Sequence, residues 1–293
     1  MLSGKFVNAW KERDVYSGVF MDVVGAFNNV DHKQLLHNLK KRRISNFMVK
    51  WIGNFLSDRY TQMCFNINGT NTERIKTDAG VPRGSPISPI LYHCGSAGCR
   101  GLSLGFIDDI AYGVQGESDV HNARELERML MKVEKWRKSH GARFETTKYV
   151  LAHFTRSRTE PTANITIMGT TIEPSQEVQY LRVIFDGKLH YGQYIQHVAR
   201  KGTRFALAIS RITKSTWGAT YQQLRMLFNS VAVPRMDYTT IVWHRPKKEG
   251  HKKQPTQLLK IETAQRTAMK AILGAFHTAL KIEMALHPPH LRI

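Results

Sequence analysis

Residues 106–110 read Phe106-Ile107-Asp108-Asp109-Ile110, two adjacent carboxylates between apolar, strand-forming residues. A third carboxylate, Asp22, lies far upstream in a second apolar run, Val19-Phe20-Met21-Asp22-Val23-Val24. An apolar strand has no structural use for an unpaired charge, because removing an ion from water is costly unless a counter-charge comes with it. Mg²⁺ meets that need, since hard cations take carboxylate oxygens and keep waters or substrate phosphates as further ligands. Two such ions clamped by carboxylates from separate strands are the machinery of in-line phosphoryl transfer. The chain therefore reads as a nucleotidyl transferase.

The composition points the same way. With 293 residues, 42% of them hydrophobic, the chain is long enough for one large or two modest domains with a substantial core. Its formal net charge of +20 exceeds what solubility requires and predicts a polyanionic partner. Between Tyr191 and Ile293, 17 Lys and Arg face only 4 Asp and Glu, so this region is expected to grip a phosphate backbone. Three cysteines, Cys64, Cys94 and Cys99, make neither a disulfide framework nor a structural zinc set, which fits a reducing, intracellular setting. No stretch approaches the roughly 20 apolar residues of a membrane span, and no membrane association is expected.

Periodicity supplies the elements. A buried strand is expected over Val15–Val24, followed by a helix capped by Asp31 with Leu35, Leu36 and Leu39 on one face. A second helix carries the stripe Phe47, Trp51, Ile52, Phe55 and Leu56, and Asn68-Gly69 marks a hairpin. A Gly/Pro/Ser-rich loop runs from Gly80 to Pro86. Ser118 caps a long amphipathic helix with Leu126, Met129, Leu130, Val133 and Trp136 inward and Gly141 as its stop. Strands are expected at Ala142–Phe154, at Ile165–Ile172 with a turn at Gly169-Thr170, and at Val178–Phe185. From Gly192 onward the pattern is helical and basic. These segregated blocks predict an α+β fold, with residues 1–188 as one domain and residues 189–293 as a basic helical one.

Three segments in order, Phe20-Met21-Asp22-Val23-Val24-Gly25-Ala26-Phe27, Gly80-Val81-Pro82-Arg83-Gly84-Ser85-Pro86 and Gly105-Phe106-Ile107-Asp108-Asp109, resemble the A, B and C motifs of reverse transcriptases, most closely those of non-LTR (LINE-type) retrotransposons. Lys148, within Phe144-Glu145-Thr146-Thr147-Lys148-Tyr149, resembles motif D, and Tyr180-Leu181-Arg182-Val183-Ile184-Phe185-Asp186 resembles the motif E hairpin. The resemblance runs from about residue 15 to 275. It implies a polymerase palm with remnant fingers over 1–188, an antiparallel sheet with packed helices, and a thumb-like region over 189–293. It also implies an RNA-directed DNA polymerase that extends a DNA primer on an RNA template from dNTPs, using two Mg²⁺ ions, with Mn²⁺ as a substitute. By the same resemblance Asp22, Asp108 and Asp109 form the catalytic metal site, and Lys148 serves the pyrophosphate leaving group. Phe27 would be the steric gate against a 2′-hydroxyl, and Arg83, Gly84 and Ser85 would contact nucleotide and template. Action in the nucleus is implied, with the mitochondrion as the alternative.

The chain departs from the family pattern at several positions. Arg83 stands where the family usually has Gln, Arg182 where it has Gly, and Asn28 where many members have Asp. The segment His93–Gly101 carries three glycines, which disfavour helix by about 1 kcal/mol each against alanine, so the helix after the second motif is expected to be short. The fingers strands that precede the first motif in relatives are not seen. A catalytically inactive, nucleic-acid-binding relic of such an element is the alternative reading, and a different palm polymerase is a third, against which the bulk of Phe27 argues.

Overall fold

The apolar run that opens the chemistry also builds the sheet. The computed structural model describes residues 2–65, 70–71, 73–96, 103–106, 109–140, 144–211, 218–244 and 256–273. Two compact units divide the chain at Val178/Gln179. The 188/189 boundary read from the sequence marks where the basic helices begin; the folded units part earlier, within the last strand pair.

In the first unit, α1 (Leu2–Lys11) leads into β1 (Val15–Asp22), followed by α2 (His32–Lys41) and α3 (Asn46–Leu56). Short strands β2 (Tyr60–Thr61), β3 (Cys64–Phe65), β4 (Thr70–Asn71) and β5 (Ile75–Lys76) pair β2 with β5 and β3 with β4. The hairpin residues Asn68 and Gly69 lie outside the described residues. Then come α4 (Ser88–Ser96), β6 (Ser103–Phe106), β7 (Asp109–Gly116), α5 (Asp119–His140), β8 (Val150–Phe154), β9 (Ile165–Ile167) and β10 (Thr170–Ile172). Four of these strands form an antiparallel sheet in the order β6-β7-β1-β8. The fold is α+β, as the segregated pattern implies.

One face of that sheet takes α5, whose Leu126, Leu130 and Val133 bury against Val19, Met21, Tyr112 and Leu151. Ser118 accepts the His121 backbone N–H at 3.2 Å and caps this helix; Gly141 and the side chain of Trp136 lie outside the described residues. Helix α1 has no counterpart in the sequence reading. It buries Phe6 and Trp10, with Phe6 stacked on Phe154 at 3.9 Å and Trp10 Nε1 donating to the Phe154 carbonyl. Its short apolar set carries too little periodicity to be read before the sheet is known to offer a surface.

Three expectations need correction. The α3 stripe does not bury Phe47 and Trp51, which are 77% and 45% exposed. Helical spacing instead turns Val49, Ile52 and Leu56 toward Leu35 and Leu39 of α2, and Trp51 stacks on Phe55 at the surface. Of the strand expected over Ala142–Phe154, Val150–Phe154 form β8 and Thr146–Lys148 form a 3₁₀ turn instead, while Ala142 and Arg143 lie outside the described residues. The β9–β10 turn falls on Met168 and Gly169, both at positive φ, rather than on Gly169-Thr170.

The second unit begins within β11 (Glu177–Tyr180), which pairs with β12 (Val183–Asp186). Helices α6 (Gly192–Ser210), α7 (Tyr221–Leu227), α8 (Val233–Met236), α9 (Thr240–Trp243) and α10 (Thr256–Leu273) complete it. Phe228 and Trp243 are core residues, Phe205 is half-buried and Tyr238 is 48% exposed; Trp217 and the side chain of Tyr221 lie outside the described residues.

Candidate active site

β1 is buried from Tyr16 to Met21, apolar but for Ser17, and ends at the half-exposed Asp22. The β1–β7 register pairs Val19 with Tyr112, Phe20 with Ala111, Met21 with Ile110 and, last, Asp22 with Asp109. Directly opposed residues of an antiparallel pair share a face, with Cβ atoms about 5 Å apart, so two like charges here repel unless a cation joins them. Lys148 brings a cation to Asp22. Its Nζ lies 3.0 Å from Asp22 Oδ2 and 2.7 Å from Glu145 Oε2, and these two hydrogen bonds, Glu145 first, raise its pKa above the usual lysine value. The 3₁₀ turn that shortens β8 is what carries Lys148 to the end of β1.

Asp108 lies outside the described residues, as does Ile107; β6 and β7 pair up to Phe106 and Asp109 on either side of them. Among the described residues, no three His, Cys, Asp or Glu side chains are gathered as a metal set. The opposed Asp22 and Asp109 are nonetheless the donor type that a hard cation takes.

Phe27 follows in the turn after β1. It is half-buried, edge-on to Tyr92 at 5.7 Å, and packs where two clusters meet, one around Leu35 and Leu91, the other around Val23 and Ala26. Its carbonyl accepts the Val81 N–H at 2.7 Å, while Gly80 N–H donates to the Val30 carbonyl at 2.8 Å. The loop 80–86 is thus stitched to the turn that carries Phe27. Gly80 has φ +86°, and a Cβ there would stand 2.8 Å from the Phe27 and Asn28 carbonyl oxygens, so close backbone approach requires glycine. Gly84, at φ +90°, is exposed with nothing within 4 Å of a would-be Cβ; backbone conformation, rather than a neighbouring atom of this chain, explains that glycine. Arg83 is exposed and Ser85 half-buried, with the Ser85 carbonyl accepting the Ser88 N–H at 3.1 Å ahead of α4.

The structure therefore brings Asp22, Asp109 and Lys148 together and links the Phe27 turn to the loop of Arg83, Gly84 and Ser85. The sequence reading missed Glu145 and Tyr92, and also His32, whose Nε2 meets the Gly80 carbonyl at 2.7 Å. Of these only Glu145 left a signal, the i,i+3 spacing to Lys148.

The family model described as reverse transcriptase (RNA-dependent DNA polymerase) matches residues 4–185. This chain belongs to the reverse transcriptase family. The motif resemblance read from the sequence is thereby borne out. Reverse transcriptases generally use divalent metal. Among curated reverse transcriptases, the chain is 23% identical to the probable RNA-directed DNA polymerase from transposon BS of Drosophila melanogaster, over 98% of this chain and 32% of that protein. It is 26% identical to the RNA-directed DNA polymerase from mobile element jockey of Drosophila funebris, over 90% of this chain and 29% of that one. The chain spans about a third of the length of these relatives. Among solved structures, telomerase from Candida tropicalis is similar with a TM-score of 0.42 and 11% identity, covering 97% of this chain and 51% of that one.

Proposed function

We propose that this chain is the palm and thumb portion of a non-LTR retrotransposon reverse transcriptase and that it performs RNA-directed DNA synthesis, transferring a nucleotidyl group from a dNTP to a primer 3′-hydroxyl. The observation that carries the reading is the β1–β7 register, which opposes Asp22 and Asp109 at one strand end with Lys148 bonded to Asp22. The mobile-element polymerases to which the chain is similar support the same substrate class. Asp22, Asp108 and Asp109 would hold the metal; when bound, Mg²⁺, or Mn²⁺ in its place, supplies Lewis-acid polarisation and neutralises triphosphate charge.

The remaining roles fall to the chain's own side chains. Lys148, half-exposed at the carboxylate end, meets the leaving pyrophosphate and neutralises its charge. Phe27 lies under the incoming sugar, and its fixed ring excludes a 2′-hydroxyl. The exposed Arg83 donates to template base or phosphate, with the Gly84 and Ser85 backbone beside it. The partners are an RNA template, a DNA primer and the RNA–DNA duplex they form, and the chain works inside the cell, in the nucleus.

Primer extension on an RNA template with dNTP and Mg²⁺ is the test. The parent chain extends, and Asp22→Asn loses about a hundredfold or more while its melting temperature holds or rises, since one of two opposed charges is gone. Extension by Asp22→Asn within about tenfold of the parent rejects the two-metal assignment. A parent that binds nucleic acid without extending a primer favours the relic instead.

A further inference from the structure

α6 carries no Asp or Glu along its 19 residues. That is unusual beside α5, where Glu125 pairs with Arg128 and Glu134 with Arg137 in the mixed-sign pattern of a solvated helix face. On α6, His197, Lys201 and Arg204 recur at helical spacing, all exposed. They form one wall of a groove of about 810 Å³ within the second unit. Arg182, in the β11–β12 turn, and Arg235, from α8, complete with Lys201 and Arg204 a rim of cations, and among the described residues no carboxylate lines the groove. Gathering like charges on one helix face costs stability. Burial, then Lys201, Arg200 and Arg204, hold the His197 pKa below its ordinary value.

The floor is of a different kind. Val198, Phe205, Val231 and Pro234 make it apolar, and the Arg235 guanidinium lies 4.9 Å over the Phe205 ring. A planar guanidinium held on an aromatic ring is a surface on which a base stacks. Val231 comes from a π turn, Phe228–Ala232, in which the Val233 N–H reaches back to the Phe228 carbonyl, and Pro234 from α8, which follows it directly. Such turns recur at functional sites.

Arg182 adds an independent observation. Leu181 and Arg182 both have positive φ, +49° and +65°, the conformation that a two-residue hairpin turn demands and that Asn or Gly adopts at least cost. Tyr238 Oη donates to the Leu181 carbonyl at 3.4 Å and ties the turn to the rest of the unit. A bulky cation therefore occupies a strained position on the rim of the groove, where glycine would relieve the strain.

We propose that this groove binds single-stranded nucleic acid, with one unstacked base on the apolar floor and the flanking phosphates on the cationic rim. A duplex offers the rim its phosphates but keeps its bases stacked and leaves the floor empty, so the floor selects the single strand. The groove belongs to the second unit and the carboxylates to the first, and the proposal goes beyond the polymerase reading.

The test is fluorescence anisotropy on the full chain, with labelled single-stranded RNA and DNA of about twelve nucleotides and an RNA–DNA duplex of the same length. Lys201→Gln with Arg204→Gln weakens single-strand binding about tenfold or more and makes the log–log salt slope shallower by about 0.7 for each phosphate no longer neutralised. Phe205→Leu weakens single-strand binding about fivefold or more and leaves duplex binding within about twofold. Arg182→Gly raises the melting temperature, because glycine accepts the turn, and yet weakens the single strand. This opposition separates binding from folding. Single-strand affinity unchanged in the double variant, or duplex and single strand falling equally in Phe205→Leu, overturns the proposal. Preference between the RNA and DNA probes names the strand. Extension that survives while groove dependence fails rejects only this inference, and groove-dependent binding without extension rejects only the polymerase reading.

Discussion

Phe27 joins two tasks in one side chain: it fills the junction of two clusters against Tyr92, and its carbonyl anchors the loop 80–86 through Val81. Only the side-chain task is lost in Phe27→Ala. Because the ring is half-buried, the truncation should cost less than the roughly 3–5 kcal/mol of a fully buried Phe, and the anchoring hydrogen bond survives. The expected outcome is a rise in rNTP use relative to dNTP use, measured as the ratio of single-nucleotide incorporation rates, with a fall in melting temperature too small to abolish folding. A constant ratio with a collapsed melting temperature assigns Phe27 to packing alone. Lys148 shows the limit of reading at this scale: its position in the motif suggests an ammonium near the triphosphate, but its bonds to Asp22 and Glu145 follow from a 3₁₀ turn where the sequence pattern indicates strand.

Beneath the α5 face of the sheet, the elements are pinned by a polar chain as well as by apolar packing. Ser17 on β1, Asn122 on α5 and His153 on β8 are all buried. The Ala163 carbonyl can only accept, so His153 Nε2 donates to it at 2.8 Å and Nδ1 is left to accept the Ser17 hydroxyl at 2.7 Å. Asn122 Nδ2 donates to Ser17 Oγ and to the Val15 carbonyl. An imidazolium would lose the Nδ1 acceptor. Burial depresses the His153 pKa, against the opposing pull of the Ala163 hydrogen bond and the Asp119 charge. The unfolded chain therefore takes up this proton first as pH falls. The His153 contribution to stability is complete above the ordinary value of about 6.5 and is lost as pH drops through the lower folded value. Urea unfolding at pH 7.5 and at pH 5 should show the parent losing stability on acidification. His153→Gln should lower stability at the higher pH and show a smaller loss between the two. An equal loss in both would remove His153 as the titrating group.

At the scale of the molecule, charge and chemistry are unequally shared: the carboxylate pair belongs to the first unit, and the cationic groove and acid-free α6 belong to the second. Counterion release needs only positive charge near phosphates, whereas catalysis needs alignment within fractions of an ångström. Nucleic-acid binding by the whole chain should weaken linearly in log affinity against log salt, with slopes of about −0.7 per phosphate for single strands and −0.9 for duplex. Asp22→Asn should leave those slopes in place even as it removes extension. Salt-insensitive binding in a titration from low to physiological ionic strength would discard the electrostatic role of the second unit.

The sequence by itself determined the α+β class, the largely apolar strand that carries Asp22, the capped helix α5 and the basic, acid-poor character of the last third, because each is written in local periodicity, capping chemistry or charge. It also placed the family, because ordered motifs survive where pairwise identity is low. Tertiary structure alone decided that Asp22 faces Asp109, since strand register is a property of two distant segments and a slip of one residue would turn one of the carboxylates to the other face. Packing likewise decided that Phe47 and Trp51 stay outside while Val49, Ile52 and Leu56 go in, because apolar spacing marks a helix stripe without saying which edge of it meets a neighbour. The groove was illegible for the same reason: Arg182, Arg204 and Arg235 are far apart in the chain, and only the folding of a hairpin turn and the helices α6 and α8 into one unit makes them a single rim.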